Sequence, residues 1–314
     1  MTMDRRTFVA SGFVVAGFVA SGCSVDLPKI EVPEMGPGNK YAAMLRQIEG
    51  EFGGTLGAEF VDVTSGQAVG LNSDVRFGHC SSFKLSLAAK ILQRDVSGED
   101  SAERRVTWSE DDLMSVSPFT TRTLSQGATL RELAEATQKY SDNAAANILL
   151  REIGGPAALT AFWRSLGDDV SRLDRYEPTL NLVPPTEVRD TTTPAAMART
   201  VAKLVYGDAL PEADRATLRQ WMVDTPTGLD RVRKGLPEEW LAGDKTGTGL
   251  GPGTGGIYID IGFVQPPERG AMTYAAYYRP AGTDNTYDKG HEEPLARAGE
   301  VLTAFAKSFD KADK

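Results

Sequence analysis

The chain has 314 residues, 41% hydrophobic and 25% charged, a balance that suits a soluble globular protein of one large domain or two. Its formal charge of -9 argues against nucleic acid as a partner. With only His79 and His291 available, histidine-based triads and zinc-type histidine clusters are excluded, and His79 is expected to be structural.

Residues 1–23 read as an export leader: Arg5 and Arg6, then Phe8, an apolar run from Val9 to Val19, and Ala20 Ser21 Gly22 Cys23. The paired arginines point to twin-arginine export, and the run is shorter than the roughly 20 residues of a spanning helix. Cys23, preceded by small residues, is a candidate lipid-bearing first residue of the mature chain and so a membrane tether, although Ala20 stands where such signals usually carry Leu. Residues 24–38, with Pro28, Pro33 and Pro37, read as the linker behind it. The expected location is the periplasm or cell envelope. With Cys23 removed or acylated, Cys80 has no intramolecular disulfide partner.

Tyr41 to Phe52 carries helix-period apolar positions at Met44, Leu45 and Ile48 and ends at Gly53 Gly54. Leu56 to Val63 and Gln67 to Leu71, separated by Thr64 Ser65 Gly66, read as a β-hairpin. From Ser81 to Val223 the signals are helical: Thr129 with Glu132 forms a capping box, Gly154 Gly155 stops one helix, Pro156 starts the next, and Thr193 Pro194 opens another. Strand signals return at Ala242 to Thr246, Ile257 to Val264 and Ala271 to Tyr278, before a last helix with Leu295, Ala298, Leu302, Phe305 and Phe309 on one face. Strands therefore come from both ends of the chain. The simplest architecture is a mixed α/β domain of residues 39–76 plus 220–314, an all-helical domain of residues 77–219 inserted in it, and a cleft at their junction.

Four strings carry chemistry. A serine hydroxyl needs a neighbouring base, and the spacing of Ser81 and Lys84 places an amine beside it on a helix, provided that burial or another cation, with Lys245 as the candidate, lowers the lysine's pKa. That spacing alone is weak, since Ser308 and Lys311 repeat it near the tail. Ser141 Asp142 Asn143 lies between helices, where such residues ordinarily cap. Lys245 Thr246 Gly247 ends a strand, and the glycine-rich match beginning at Gly251 precedes a strand instead of opening a helix, so it is not a dinucleotide loop. Glu177 and Asn181 lie in polar, proline-bearing loop sequence, where a lone glutamate is usually a solvated charge.

Taken together, these strings resemble those of a class A β-lactamase, across residues 40–310. The resemblance implies an antiparallel five-stranded sheet flanked by helices, with the inserted helical domain. It implies Ser81 as nucleophile, Lys84 and Ser141 as proton carriers, and Glu177 with Asn181 holding and activating the deacylating water. Asn143 would bond the substrate's side-chain amide. Lys245 and Thr246, aided by Arg231, would bind its carboxylate, Gly247 would let it lie against the strand, and the N–H groups of Ser81 and Thr248 would form the oxyanion hole. Asp142 would brace its loop, and an Arg175–Asp190 ion pair would close the Ω loop around Glu177. The expected activity is hydrolysis of penicillins and cephalosporins, without cofactor or metal, by a monomer. Two departures stand out: Gly249 occupies the place where carbapenem-hydrolysing members pair a cysteine with Cys80, and Val116, before Ser117 Pro118, replaces an aromatic residue at the cleft mouth. The rival readings are a penicillin-binding DD-peptidase, which would not need Glu177 and Asn181, and a non-hydrolysing β-lactam-binding lipoprotein.

Overall fold

The structure is a computed structural model that describes residues 37–251, 255–267, 269–282 and 284–309. The leader of residues 1–23, Cys23 and most of the expected linker lie outside the described residues. Helix α1 (Pro37–Phe52) begins inside the segment assigned to the linker, because Pro37 fits the first turn of a helix, where its missing N–H has no partner to lose. The described residues form one compact unit.

After α1 come β1 (Thr55–Asp62) and β2 (Ala68–Leu71), which pair antiparallel around a turn where Gly66 takes φ 72°. The middle of the chain holds α2 (Phe83–Val96), α3 (Pro118–Arg122), α4 (Leu130–Lys139), α5 (Asn143–Glu152), α6 (Pro156–Ser165), α7 (Pro194–Val205) and α8 (Glu212–Val223). The expected capping box starts α4, Gly155 precedes Pro156 in α6, and Thr193 caps α7. Among these helices are short ladders with no strand signal in the sequence: β3 (Phe77–Gly78) pairs with β6 (Thr191–Thr192), and β4 (Arg105–Val106) with β5 (Ala128–Thr129). The chain closes with β7 (Leu241–Gly251), β8 (Gly255–Gln265), β9 (Met272–Arg279) and α9 (Glu293–Ser308). Strand β7 runs through the glycine-rich stretch past Gly247, because its ladder with β8 continues to the Gly251–Gly255 pair.

The main sheet has the order β2-β1-β9-β8-β7, antiparallel throughout, which puts β7 at an edge. Its inner strands are buried on both faces, so their side chains alternate between two cores. Ile257, Ile259, Ile261 and Phe263 face one core, shared with α2, α4, α5, α7 and α8. Tyr258, Tyr274, Ala276 and Tyr278 face the other, filled by α1 and α9. Helix α7, expected within the helical domain, packs directly on β1, β8 and β9.

Candidate active site

The backbone around Ser81 is sharply turned. Cys80 takes φ 41°, and the 3₁₀ turn Cys80–Ser82 leads straight into α2. His79 holds the turn through its own backbone: its N–H donates to Asp190 O at 2.8 Å and its carbonyl accepts from Ser82 Oγ at 2.8 Å. The three-residue spacing then leaves Lys84 Nζ 2.9 Å from Ser81 Oγ. Lys84 is fully buried; its amine also reaches Ser141 O at 2.9 Å, Asn143 Oδ1 at 2.5 Å and Glu177 Oε1 at 3.1 Å. The carbonyl, amide oxygen and carboxylate accept only, whereas the Ser81 hydroxyl can also donate, so this contact is a route by which its proton can leave. Burial pushes the Lys84 amine below its usual range, against the pull of the Glu177 carboxylate. The neighbouring-cation effect expected from Lys245 falls instead on Lys245, whose amine is held well below its usual range first by burial and then by Lys84.

Ser141 takes φ 58°, a left-handed turn that sets its hydroxyl between the two amines, 3.4 Å from Lys84 Nζ and 3.2 Å from Lys245 Nζ. Asp142 is the N-cap of α5 and also ties α3 down: it accepts from Ala145 N at 2.8 Å, Phe119 N at 2.9 Å and Thr120 N at 3.0 Å. Asn143 lines the cleft, with Nδ2 donating to Ser115 O at 2.9 Å.

Glu177 comes from the long loop between α6 and α7. Arg175 Nε meets Asp190 Oδ2 at 2.5 Å, and Asp190 Oδ1 accepts from the backbone N–H groups of Asp174 and Arg175, which pins the loop's two ends together. Asn147 of α5, a residue with no role assigned from sequence, clasps the Glu177 backbone from both sides, with two 2.9 Å hydrogen bonds. The Glu177 side chain is only 1% exposed, and its Oε2 accepts from Asn181 Nδ2 at 2.6 Å.

Strand β7 forms the opposite wall. Lys245 is buried and donates to Thr246 O at 2.8 Å, and the Thr246 and Thr227 hydroxyls lie 2.7 Å apart. A Cβ on Gly247 would lie 3.1 Å from His79 O and 3.2 Å from Ser81 N, so glycine permits β7 to approach the turn bearing the nucleophile. Gly249 faces the buried free thiol of Cys80, whose Sγ would lie 2.6 Å from an added Cβ. Arg231 packs behind this edge, donating to Gly247 O, Ile259 O and Thr248 Oγ1 and pairing with Glu292. Val116, exposed and at φ 59°, lines the mouth.

These groups surround a cleft of about 410 Å³. Ser81, Asn143, Arg231, Thr246, Gly247 and Thr248 line it, whereas Lys245 is buried behind them; Thr227, Tyr287 and Glu292 line it too and were not anticipated. In the sequence Glu292 reads as an acidic residue at the start of a helix, which gives no hint of a cleft. Among the described residues no group of three or more His, Cys, Asp or Glu side chains is placed to hold a metal ion.

The chain matches the Beta-lactamase enzyme family over residues 40–303. It is similar to Beta-lactamase OXY-2 of Klebsiella oxytoca, 39% identical over 82% of this chain and 87% of that protein. It is 39% identical to the Carbapenem-hydrolyzing beta-lactamase KPC of the same organism, over 84% of this chain and 88% of that one. Among solved structures, a class A β-lactamase described as the last common ancestor of Gram-negative bacteria matches with a TM-score of 0.79 and 42% identity, covering 84% of this chain and 98% of its own. A β-lactamase from Burkholderia vietnamiensis matches at 0.79 and 41% identity, covering 85% and 96% respectively. With the five-stranded antiparallel sheet, the serine and lysine in contact and these relatives spanning most of its length, the chain belongs to the class A β-lactamase family.

Proposed function

We propose that this class A β-lactamase opens the β-lactam amide of penicillins and cephalosporins by attack of Ser81 Oγ, through a covalent acyl-enzyme, and thereby confers antibiotic resistance. The Ser81 proton passes to Lys84, the basic group in contact with the hydroxyl. Ser141, between the two amines, relays a proton to the departing ring nitrogen. The backbone N–H groups of Ser81 and Thr248 receive the developing oxyanion. Lys245 and Thr246 take the substrate carboxylate, Gly247 gives it room, and Asn143 takes the side-chain amide.

Deacylation needs a water and a base, and one observation carries that half of the cycle. The Glu177 carboxylate is withdrawn from solvent, 2.6 Å from the Asn181 amide and 3.1 Å from Lys84. Glu177 takes a proton from water as that water attacks the Ser81 ester; the acid product leaves and the hydroxyl is restored. A DD-peptidase or a stalled binding protein would not need this pair.

Replacing Glu177 with Ala tests the assignment. Removing a general base costs about 10²–10⁴ in rate, so turnover of a chromogenic cephalosporin should fall by that much while an adduct accumulates on Ser81, seen by mass spectrometry. An Ala variant that turns over and shows no adduct contradicts the role. Turnover by the native protein should also persist in a chelator. Class A β-lactamases are typically exported. Twin-arginine export and lipidation of Cys23 are part of the same proposal, supported by Arg5, Arg6 and the small residues before Cys23. The mass of the mature amino-terminal peptide tests both.

A further inference from the structure

Of the large apolar side chains that line the cleft, two are more than half exposed: Val116, at 59%, and Tyr287, at 54%. Val116 offers a small aliphatic surface. Tyr287 offers an aromatic face, and apolar surface left open inside a cleft favours contact with a ligand. The ring is also held in place. Tyr287 belongs to the connection between β9 and α9, and the N–H of the next residue, Asp288, donates to Tyr258 Oη at 2.9 Å. The Tyr258 ring lies tilted against that of Tyr287, 5.9 Å between centroids, with the His291 ring edge-on to Tyr258 at 5.4 Å. Lys289 meets Asp230 at 2.9 Å, which ties the connection to the segment carrying Arg231. A tyrosine placed in this way presents contact area with little freedom left to lose when a ligand arrives.

Its place in the cleft says which part of a substrate it meets. Tyr258 is the partner of Thr248 across the β7–β8 ladder, and its ring lies 5.8 Å from the Arg231 guanidinium, so Tyr287 stands beside the part of β7 that follows Lys245 and Thr246. The proposed hydrolysis orients the substrate with its side-chain amide at Asn143 and its carboxylate at Lys245 and Thr246. In a cephalosporin the ring carbon that bears the carboxylate is double-bonded to C3, so a group on C3 extends past the carboxylate towards Tyr287. We propose that Tyr287 is a specificity-determining residue, whose ring stacks on a flat aromatic substituent at C3 and favours such cephalosporins over those with a small group there. A penicillin carries two methyl groups on the carbon next to its carboxylate-bearing carbon and has nothing flat to offer the ring.

This inference rests on the proposed hydrolysis at Ser81 and is tested with two cephalosporins that share one acyl side chain, one with styryl and one with methyl at C3; neither group is expelled when the lactam opens. The readout is the styryl-to-methyl ratio of kcat/KM. Aromatic stacking contributes enough beyond area burial that Tyr287→Ala should lower this ratio about fivefold, through KM for the styryl compound. Tyr287→Phe, which keeps the ring and removes the hydroxyl, should hold the ratio at the native value. A ratio that ignores Tyr287→Ala overturns the inference. So does a Tyr287→Phe variant that loses as much as Tyr287→Ala, because the hydroxyl and not the ring would then be at work. Should the native protein form no Ser81 adduct with either compound, the proposed function fails and this inference with it; adduct formation with an unresponsive ratio removes the inference alone.

Discussion

His79 lies two residues before the nucleophile, with its ring stacked on Trp163 at 4.7 Å between centroids. Burial pushes its pKa down to about 3 from the ordinary 6.5, although the Asp168 carboxylate pulls the other way. The unfolded chain therefore binds a proton near pH 6.5 that the folded protein refuses until about pH 3, and between those values stability falls as the pH falls. His79→Phe, which keeps a ring against Trp163, should remove that dependence. Moving from pH 7 to pH 4.5 should cost the native protein about 2.5 kcal/mol more than the variant, measured as the shift in denaturant midpoint. Equal losses would mean that His79 is already protonated in the fold. At this scale the sequence is informative about chemistry and silent about company. Ser81, Lys84, Glu177 and Lys245 are legible because nucleophile, base and anion clamp each demand particular side chains. Asn147 and Glu292 act by where the fold puts them: one lies in the apolar run of α5, the other at a helix start, and neither position advertises a contact across the cleft.

Elements deliver these side chains through their ends. Ser81 precedes α2, Asn143 begins α5, Glu292 precedes α9, and the lysine-bearing strand is the edge of the sheet. Asp142 fixes two such ends at once, since its carboxylate caps α5 and accepts from the first N–H groups of α3. Asp142→Ala would strand several buried donors, so a loss of about 3 kcal/mol is expected, with Asp142→Asn retaining part of it. Urea unfolding checks this; a midpoint unchanged by Asp142→Ala would show that solvent or neighbours satisfy those donors. The capping box at Thr129 and the Gly155–Pro156 junction were legible because local hydrogen bonding and backbone freedom decide them. The pairing of Phe77–Gly78 with Thr191–Thr192 was not, because each partner is two residues long and the ladder exists only once the loop carrying Glu177 has folded back. The true length of β7 was also hidden: glycines that read as lying beyond the strand's end are held extended by cross-strand bonding to β8.

For the whole molecule, the sheet belongs to two cores at once. Side chains of β8 and β9 alternate between the helices that flank Ser81 and Ser141 and the pair of terminal helices, so each face braces the other. On the terminal side, α1 and α9 pack together, with Tyr41 edge-on to Phe305 at 5.2 Å and Phe309 edge-on to Phe305 at 5.1 Å. Neither helix contributes Ser81, Lys84 or Glu177, yet Glu292 enters the cleft from the foot of α9. Phe305, 3% exposed, sits well along that helix from the cleft end. Truncating a buried phenylalanine costs about 3–5 kcal/mol, which for a domain of this size lowers Tm by about 10 °C. Phe305→Ala should therefore lose stability on that scale while KM for a cephalosporin stays within twofold of the native value, because the cavity opens on the face of the sheet away from the nucleophile. The same variant separates two accounts of the fold. If the sheet couples the cores, loss of activity and loss of near-UV circular dichroism should occur at one temperature; if α1 and α9 form a separable layer, the dichroism should fall first, with turnover persisting to the native midpoint.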